Sequence, residues 1–269
     1  MSLHYTVAAQ TDIGTTKGVN QDSLTVKVAN TPNGEAALLV LCDGMGGLEQ
    51  GEVASAVVVR AFEQWFLRDF SPIAISGLDV KSLEKTWGNI LQDCNSRIYD
   101  YSRERHTSMG TTLTALLLFD GAYYISHIGD SRAYRLDGSI SQLTTDHTYT
   151  AREVALGHMT PAQARNDSRR NVLLQCIGMG KPISPEFISG VIEVGDSFVL
   201  CSDGFRHELM DEEIYEYCQR EPLALEWRVE KRQENSRTMN RVFRELIEIN
   251  KQRGEKDNIS AAFVKIMDR

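Results

Sequence analysis

Short apolar runs separated by turn dipeptides fill the first third of the chain. Residues 5–9 and 23–28 read as strands, Asn33-Gly34 is a hairpin turn signal, and 36–42 is apolar almost throughout. A run without polar alternation belongs to a strand covered on both faces. From Gly51 the period changes: Val53, Val57, Ala61, Phe62, Trp65 and Phe66 recur at helical spacing. A second helix is predicted over Val80–Glu104, with Leu83, Trp87, Ile90, Leu91, Cys94, Ile98 and Tyr101 on one stripe. Strands return at 111–119, 123–128 and 133–136, joined by Asp120-Gly121 and Asp137-Gly138, and a short run ends at Leu143. In the more polar stretch 146–180, Thr160-Pro161 pairs an N-cap with Pro at the first helical position. Two further strands, 186–192 and Ser197–Cys201, precede C-terminal helices defined by Met239, Val242, Phe243, Leu246 and Ile247, and 259–266 is the last strand.

Strands and helices come in blocks rather than in strict alternation, which disfavours a doubly wound parallel sheet and fits central sheets with helices outside. No repeat of fixed period and no Pro/Ser-rich linker interrupts the 269 residues, so 1–269 is read as a single domain. A hydrophobic content of 42% excludes disordered and low-complexity classes. The net charge of −8 disfavours nonspecific nucleic-acid binding and adhesion to an anionic membrane. Five cysteines, odd in number and without a C-x-x-C pair, read as reduced thiols rather than a disulfide framework. No apolar run reaches the ~18 residues of a membrane span, and Met1-Ser2-Leu3-His4-Tyr5 lacks the marks of a signal peptide; the expectation is a cytoplasmic protein.

Candidate chemistry lies with the aspartates. Residues 38–42 run into Asp43-Gly44, 198–202 into Asp203-Gly204, 125–129 into Asp130, and Asp257-Asn258 precedes the last strand. A lone Asp-Gly is usually a turn, and Asp120-Gly121 and Asp137-Gly138, each between two apolar strands, are assigned as such. Asp43 and Asp203 instead follow runs too apolar for an edge strand, and neither leads directly into another strand. Carboxylates that converge at strand ends repel one another unless a cation holds them. Glycine beside an aspartate lets a backbone carbonyl approach the same ion. Asp22, at a strand start, is a fifth candidate. No H-E-x-x-H, Cys pair or His cluster accompanies these residues, so zinc is disfavoured, and all-oxygen donors select Mg²⁺, Mn²⁺ or Ca²⁺. Glu49 breaks a dinucleotide fingerprint, Gln175 breaks a P-loop, and no G-x-S-x-G elbow occurs.

Thr11-Asp12-Ile13-Gly14, Asn20-Gln21-Asp22, Cys42-Asp43-Gly44-Met45-Gly46-Gly47, Gly110-Thr111-Thr112, Gly129-Asp130-Ser131-Arg132, Leu143-Thr144-Thr145-Asp146-His147, Ser202-Asp203-Gly204 and Asp257-Asn258-Ile259 occur in this order. The set resembles the bacterial branch of the type 2C (PPM) metal-dependent Ser/Thr protein phosphatases. That resemblance implies an α+β, four-layer αββα sandwich: two central, mostly antiparallel sheets flanked by helix pairs. It also implies a flap subdomain near 148–178 and, beyond the family pattern, leaves a helical elaboration near 211–253. Carried over by motif, Asp43, Asp203 and Asp257 are the catalytic set, binding two Mn²⁺ or Mg²⁺ ions with Asp43 bridging. The Gly44 carbonyl would complete the second site, Asp22 would act nearby, and Asp130 would support a third, weaker ion. The implied reaction is hydrolysis of phosphoserine and phosphothreonine in proteins by a metal-bridging water, with no phosphoenzyme. Implied partners are phosphorylated proteins and a cognate Ser/Thr kinase.

The family usually places a phosphate-clamping Arg where this chain has Lys17, the substrate-binding candidate; Lys lacks the planar fork of Arg. A catalytically weak, metal-stabilised phosphoprotein-binding regulator therefore stands as an alternative, beside a metal-dependent small-molecule phosphatase. Met45 occupies the position where animal relatives often carry His, which leaves the general acid unassigned. His147, after an N-cap signal, reads as structural. Arg165, Arg169 and Arg170 either meet an acidic phosphopeptide or form a solvated face.

Overall fold

A computed structural model describes residues 3–46, 50–220 and 228–268. Gly47 of the glycine motif and the 221–227 part of the expected helical elaboration lie outside the described residues. The chain opens with β1 (His4–Asp12), β2 (Asp22–Thr31) and β3 (Gly34–Gly46), followed by α1 (Gly51–Arg68), α2 (Phe70–Ser76) and α3 (Val80–Glu104). A run of strands comes next: β4 (Met109–Thr111), β5 (Leu113–Phe119), β6 (Ala122–Ile128), β7 (Arg132–Leu136) and β8 (Ile140–Gln142). After α4 (Tyr149–Ala155) and α5 (Pro161–Asn166) come β9 (Glu186–Val191), β10 (Ser197–Cys201), α6 (Asp203–Arg206), α7 (Asp211–Arg220), α8 (Arg232–Gln252) and β11 (Ile259–Met267).

Two antiparallel sheets result, one in the order β1-β11-β10-β7-β8 and one in the order β2-β3-β5-β6-β9, with β4 joined to β3. Alternation along the central strands shows why their apolar runs lack a polar side. In β3, Ala37, Leu39 and Leu41 pack between the sheets with Leu116, Leu118, Leu200 and Val264. Ala36, Leu38, Val40 and Cys42 face the opposite way, into a core with Phe62 and Trp65 of α1 and Trp87 of α3. β10 and β11 do the same in the other sheet, where Val199, Cys201 and Phe263 meet Met239, Phe243 and Leu246 of α8. A strand sandwiched on both faces has no polar side to show. The four layers are therefore helices, sheet, sheet, helices, as the α+β expectation had it.

The structure departs from the sequence expectation in detail. Residues 111–119 form two strands, β4 and β5, broken at Thr112, and β3 runs past Cys42 to Gly46 so that Asp43 lies inside a strand. Gly46 pairs with Met109 and Gly44 with Thr111, which carries Gly44-Met45-Gly46 along β4. Helices α2, α4 and α6 were not anticipated; each has seven residues or fewer. Thr160 caps α5 as expected, in a reciprocal capping box with Gln163.

Candidate metal centre

The strand ends of both sheets deliver carboxylates to one place. Registry between β2 and β3 sets Asp22 directly opposite Asp43. Asp130 sits between β6 and β7, Asp203 starts α6 where β10 ends, and Asp257 stands just before β11. Asp43 feels the charges of Asp22, Asp203, Asp130 and Asp257, and desolvation together with these neighbours holds its carboxyl well above the usual range. Burial, with Asp203 and Asp257 nearby, pushes Asp22 up to about 7, although the hydroxyls of Ser260 and Ser202 oppose the rise. Burial and Asp203 likewise push Asp130 up to about 7 against the pull of Arg206.

Among the described residues, three of the buried oxygens in this cluster, both on Asp22 and Oδ1 of Asp203, have no hydrogen-bond partner; near Asp22, the Ser202 hydroxyl bonds instead to the Ser260 backbone and the Ser260 hydroxyl to Thr11 Oγ1. Orphaned carboxylate oxygens are costly without a positive partner. An all-oxygen set with unfilled lone pairs fits hard divalent cations.

The backbone around Asp43 is clamped. Its N–H donates to Thr112 Oγ1 at 2.9 Å, and its carbonyl accepts from the Thr112 N–H and from Thr111 Oγ1, both at 2.9 Å. Gly44 has no space for a side chain, since a Cβ would stand 2.2 Å from the Gly51 carbonyl oxygen. Gly14, at φ +77°, crosses so close to Asp257 that a Cβ would lie 1.9 Å from its carbonyl oxygen. Asn258 fastens the same loop: Nδ2 donates to the Ile13 carbonyl (2.9 Å) and the Val19 carbonyl (3.2 Å), and Oδ1 accepts the Gln21 N–H at 2.8 Å. That loop carries Lys17, whose Nζ is 2.8 Å from Asp257 Oδ1. Partial burial acts against the Lys17 charge, but Asp257, Asp43 and Asp203 outweigh it and raise its pKa.

Behind Asp130, Arg206 Nη2 donates to the Asp130 carbonyl at 2.9 Å and lies 3.4 Å from Asp146 Oδ2. Arg132 holds Asp146 with two bonds of 2.8 Å, and with burial opposed in this way Asp146 stays below the usual carboxylate range.

A family model described as Protein phosphatase 2C matches residues 14–262. The chain belongs to the protein phosphatase 2C family. A protein phosphatase 2C-type sequence from Streptococcus pyogenes is 33% identical over 211 residues, covering 77% of this chain and 82% of that one. Serine/threonine protein phosphatase PstP of Mycobacterium tuberculosis is 34% identical over 214 residues, 79% of this chain but 38% of PstP. Among solved structures, a serine/threonine phosphatase of S. agalactiae superposes with a TM-score of 0.80 at 26% identity, covering 98% of this chain and all of that one. The catalytic domain of PstP in complex with two manganese ions gives 0.77 at 30% identity, covering 99% of this chain and 100% of that domain.

Beside Gly129, His127, His147 and Glu186 form a cluster that the sequence did not reveal, with ligand-type atoms within 4.8 Å of one another. These atoms are committed elsewhere. His127 Nδ1 bonds Thr114 Oγ1, and its Nε2 faces the carbonyls of Gly129 and Thr145. His147 Nδ1 accepts from the Gly129 N–H and the Gln175 amide, and Glu186 accepts from the N–H and hydroxyl of Thr145. Burial, aided by His147, depresses His127 to about 4. His147 precedes the α4 cap, which is Thr148, rather than following one, because Asp146 is taken by Arg132.

A cleft of about 660 Å³ runs from Asp130 beneath the 148–178 segment, with Arg132, Arg165, Arg170 and Arg206 on its walls. Arg169 is turned to Asp167 (2.8 Å) and the Tyr149 ring. The roles of Thr111, Thr112, Asn258 and Arg206 were not read from the sequence. The motifs contain Thr111, Thr112 and Asn258, but only tertiary approach shows what they grip. Among the described residues, no helix is long and apolar enough to cross a membrane.

Proposed function

We propose that the chain is a metal-dependent protein-serine/threonine phosphatase whose metal ligands are Asp43, Asp203 and Asp257, with the Gly44 carbonyl and Asp22 at the same centre and Asp130 at a third, weaker position. The observation that carries this reading is the convergence of five aspartates with orphaned buried oxygens at one end of the sandwich. Its relatives are named as Ser/Thr phosphatases, and one solved neighbour holds two manganese ions. Mn²⁺ and Mg²⁺ both suit this donor set. When bound, such ions supply Lewis acidity, making water nucleophilic at neutral pH and offsetting charge on the phosphoryl oxygens.

Asp43, whose carboxyl feels the other four aspartates, would be the ligand at the middle of the set, holding the ions together with Asp203 and Asp257. Lys17, exposed at the rim and tethered to Asp257, would meet the phosphoryl group as a point charge, in the place of a bidentate Arg. Water would attack phosphorus directly as the bond from phosphorus to the seryl or threonyl oxygen breaks, a proton from the water ending on that leaving oxygen, so that no side chain of the phosphatase becomes phosphorylated. We take residues 1–269 as one phosphatase domain, 148–178 as its flap and 211–253 as a helical elaboration. Substrates would be phosphoproteins of a cognate Ser/Thr kinase in the cytoplasm, a setting that suits five free thiols.

Phosphate release from p-nitrophenyl phosphate and from a phosphothreonine peptide, measured with Mn²⁺ and then with chelator, tests this. Turnover should require a divalent cation, supplied here as Mn²⁺, and vanish in Asp203→Ala, and Lys17→Arg should lower KM for the peptide. Full activity in Asp203→Ala or in chelator would sink the reading. Preference for a small phosphate ester over every phosphopeptide would move the substrate class.

A further inference from the structure

Asp203 and Asp257 belong to different elements, and one side-chain pair joins them. Glu255 Oε1 accepts the backbone N–H of Asp257 at 2.8 Å and that of Lys256 at 2.6 Å. Its other oxygen, Oε2, is 3.3 Å from His207 Nδ1, and His207 Nε2 is 3.5 Å from Asp203 Oδ2. All three side chains are nearly closed off from solvent, at 7% exposure for Glu255, 12% for His207 and 11% for Asp203. Glu255 is itself anchored at both backbone groups. Its N–H donates to the Asn250 carbonyl at the end of α8, and its carbonyl accepts from Thr15 Oγ1, in the loop that carries Lys17.

We infer that Glu255 and His207 are positioning residues that hold Asp203 and Asp257 in one fixed mutual geometry for divalent cations. This rests on the proposed metal-binding role of those two aspartates. An imidazole between two carboxylates presents a nitrogen to each, so the ring cannot turn without losing one of them. His207 Nε2 stands 3.5 Å from Oδ2 of Asp203, whereas Oδ1 has no partner among the described residues and is the oxygen free to meet a cation. Glu255 fixes the other end by gripping the peptide N–H that precedes the Asp257 side chain. Cation sites tolerate little error in ligand placement, and partners one bond behind the ligands govern affinity as well as orientation.

The test uses the metal-stripped full chain and MnCl₂ in isothermal titration calorimetry, with thermal unfolding in chelator to check folding. His207→Leu and Glu255→Ala should each bind Mn²⁺ about 10–100-fold more weakly than the parent. Because the two act as one bridge, the double variant should be no weaker than the worse single variant. His207→Gln keeps an N–H within reach of Asp203 and should recover most of the loss. Affinity within twofold of the parent in either folded single variant, or losses that multiply in the double variant, would overturn the inference. If Glu255→Ala fails to fold because it bares two amide groups, the His207→Leu and His207→Gln pair decides alone. A parent chain that binds no Mn²⁺ would overturn the metal reading itself, a result distinct from a parent that binds and a His207→Leu that binds equally well.

Discussion

Placing like charges face to face costs stability, and Asp22 opposite Asp43, at the end of the β2–β3 ladder, is such a placement. Desolvation and four neighbouring carboxylates raise the Asp43 pKa, so at neutral pH its charge opposes folding in the absence of cations. Asp43→Asn keeps the shape and removes that charge. In chelator at pH 8 the variant should unfold a few degrees above the parent, on a scale of about 2–4 °C per kcal/mol for a chain of this size. With Mn²⁺ its phosphatase activity should fall by about 10²-fold or more, since a shared ligand supports several kcal/mol of transition-state charge stabilisation. A lower melting temperature in chelator, or undiminished activity, would contradict the assignment. The aspartates could be found in the sequence because each follows an apolar run or starts one. His207 and Glu255 could not, since nothing local in Phe205-Arg206-His207 or Gly254-Glu255-Lys256 signals that the two side chains face each other.

At the scale of elements, sequence pattern was most informative where the apolar period was long. Val80–Glu104 has seven turns to display its stripe, and its predicted bounds match α3. Seven-residue α2 and α4 complete fewer than two turns, too short for a period to emerge from their neighbours. The end of β3 is hidden for another reason: glycine is depleted in strands, so nothing in Gly44-Met45-Gly46 extends the apolar run past Cys42, whereas pairing with β4 makes these residues strand. How α8 meets β1 was equally hidden. β1 is an edge strand, and side chains satisfy its outward backbone groups: Asn240 Oδ1 accepts the Ala9 N–H at 3.1 Å, Ser236 Oγ donates to the Val7 carbonyl at 2.6 Å, and Glu35 Oε2 accepts the Tyr5 N–H at 3.1 Å. An uncovered edge invites pairing with other chains. Asn240→Ala strips the Ala9 N–H of its partner and should destabilise the fold by about 1–2 kcal/mol. A urea midpoint that falls with an unchanged slope would agree; an unmoved midpoint would show that water replaces the amide at no cost.

Across the whole molecule the charge excess is uneven. Residues 219–256 carry +3, which leaves −11 on the remainder, and five of those carboxylates are the clustered aspartates. Their titration should therefore dominate how stability depends on pH near neutrality when no cation is present. Asp22 and Asp130 titrate near 7 in the folded chain, and Asp43 is raised as well, against an ordinary value of 3.8. Between those limits the folded state binds more protons than the unfolded one, so unfolding free energy falls as pH rises. His207, raised by Glu255 and Asp203 against the opposing effect of burial, acts in the same direction, because its contribution is present at low pH and lost as pH rises through its folded value. Buried His127, depressed to about 4, opposes them only below its ordinary value of 6.5, where the unfolded chain takes up a proton that the folded one refuses. In chelator, then, the melting temperature should climb as pH is lowered from 8 and keep climbing below 6.5, less steeply because His127 offsets part of the gain, until the ordinary carboxylate range is reached. Saturating Mn²⁺ should reverse the trend above pH 6.5, because cation binding competes with protons for the same carboxylates and stabilises the folded state by mass action. Thermal unfolding across this range, with and without Mn²⁺, checks both slopes at once. Parallel curves in the two conditions would mean that the cation does not bind where the aspartates converge.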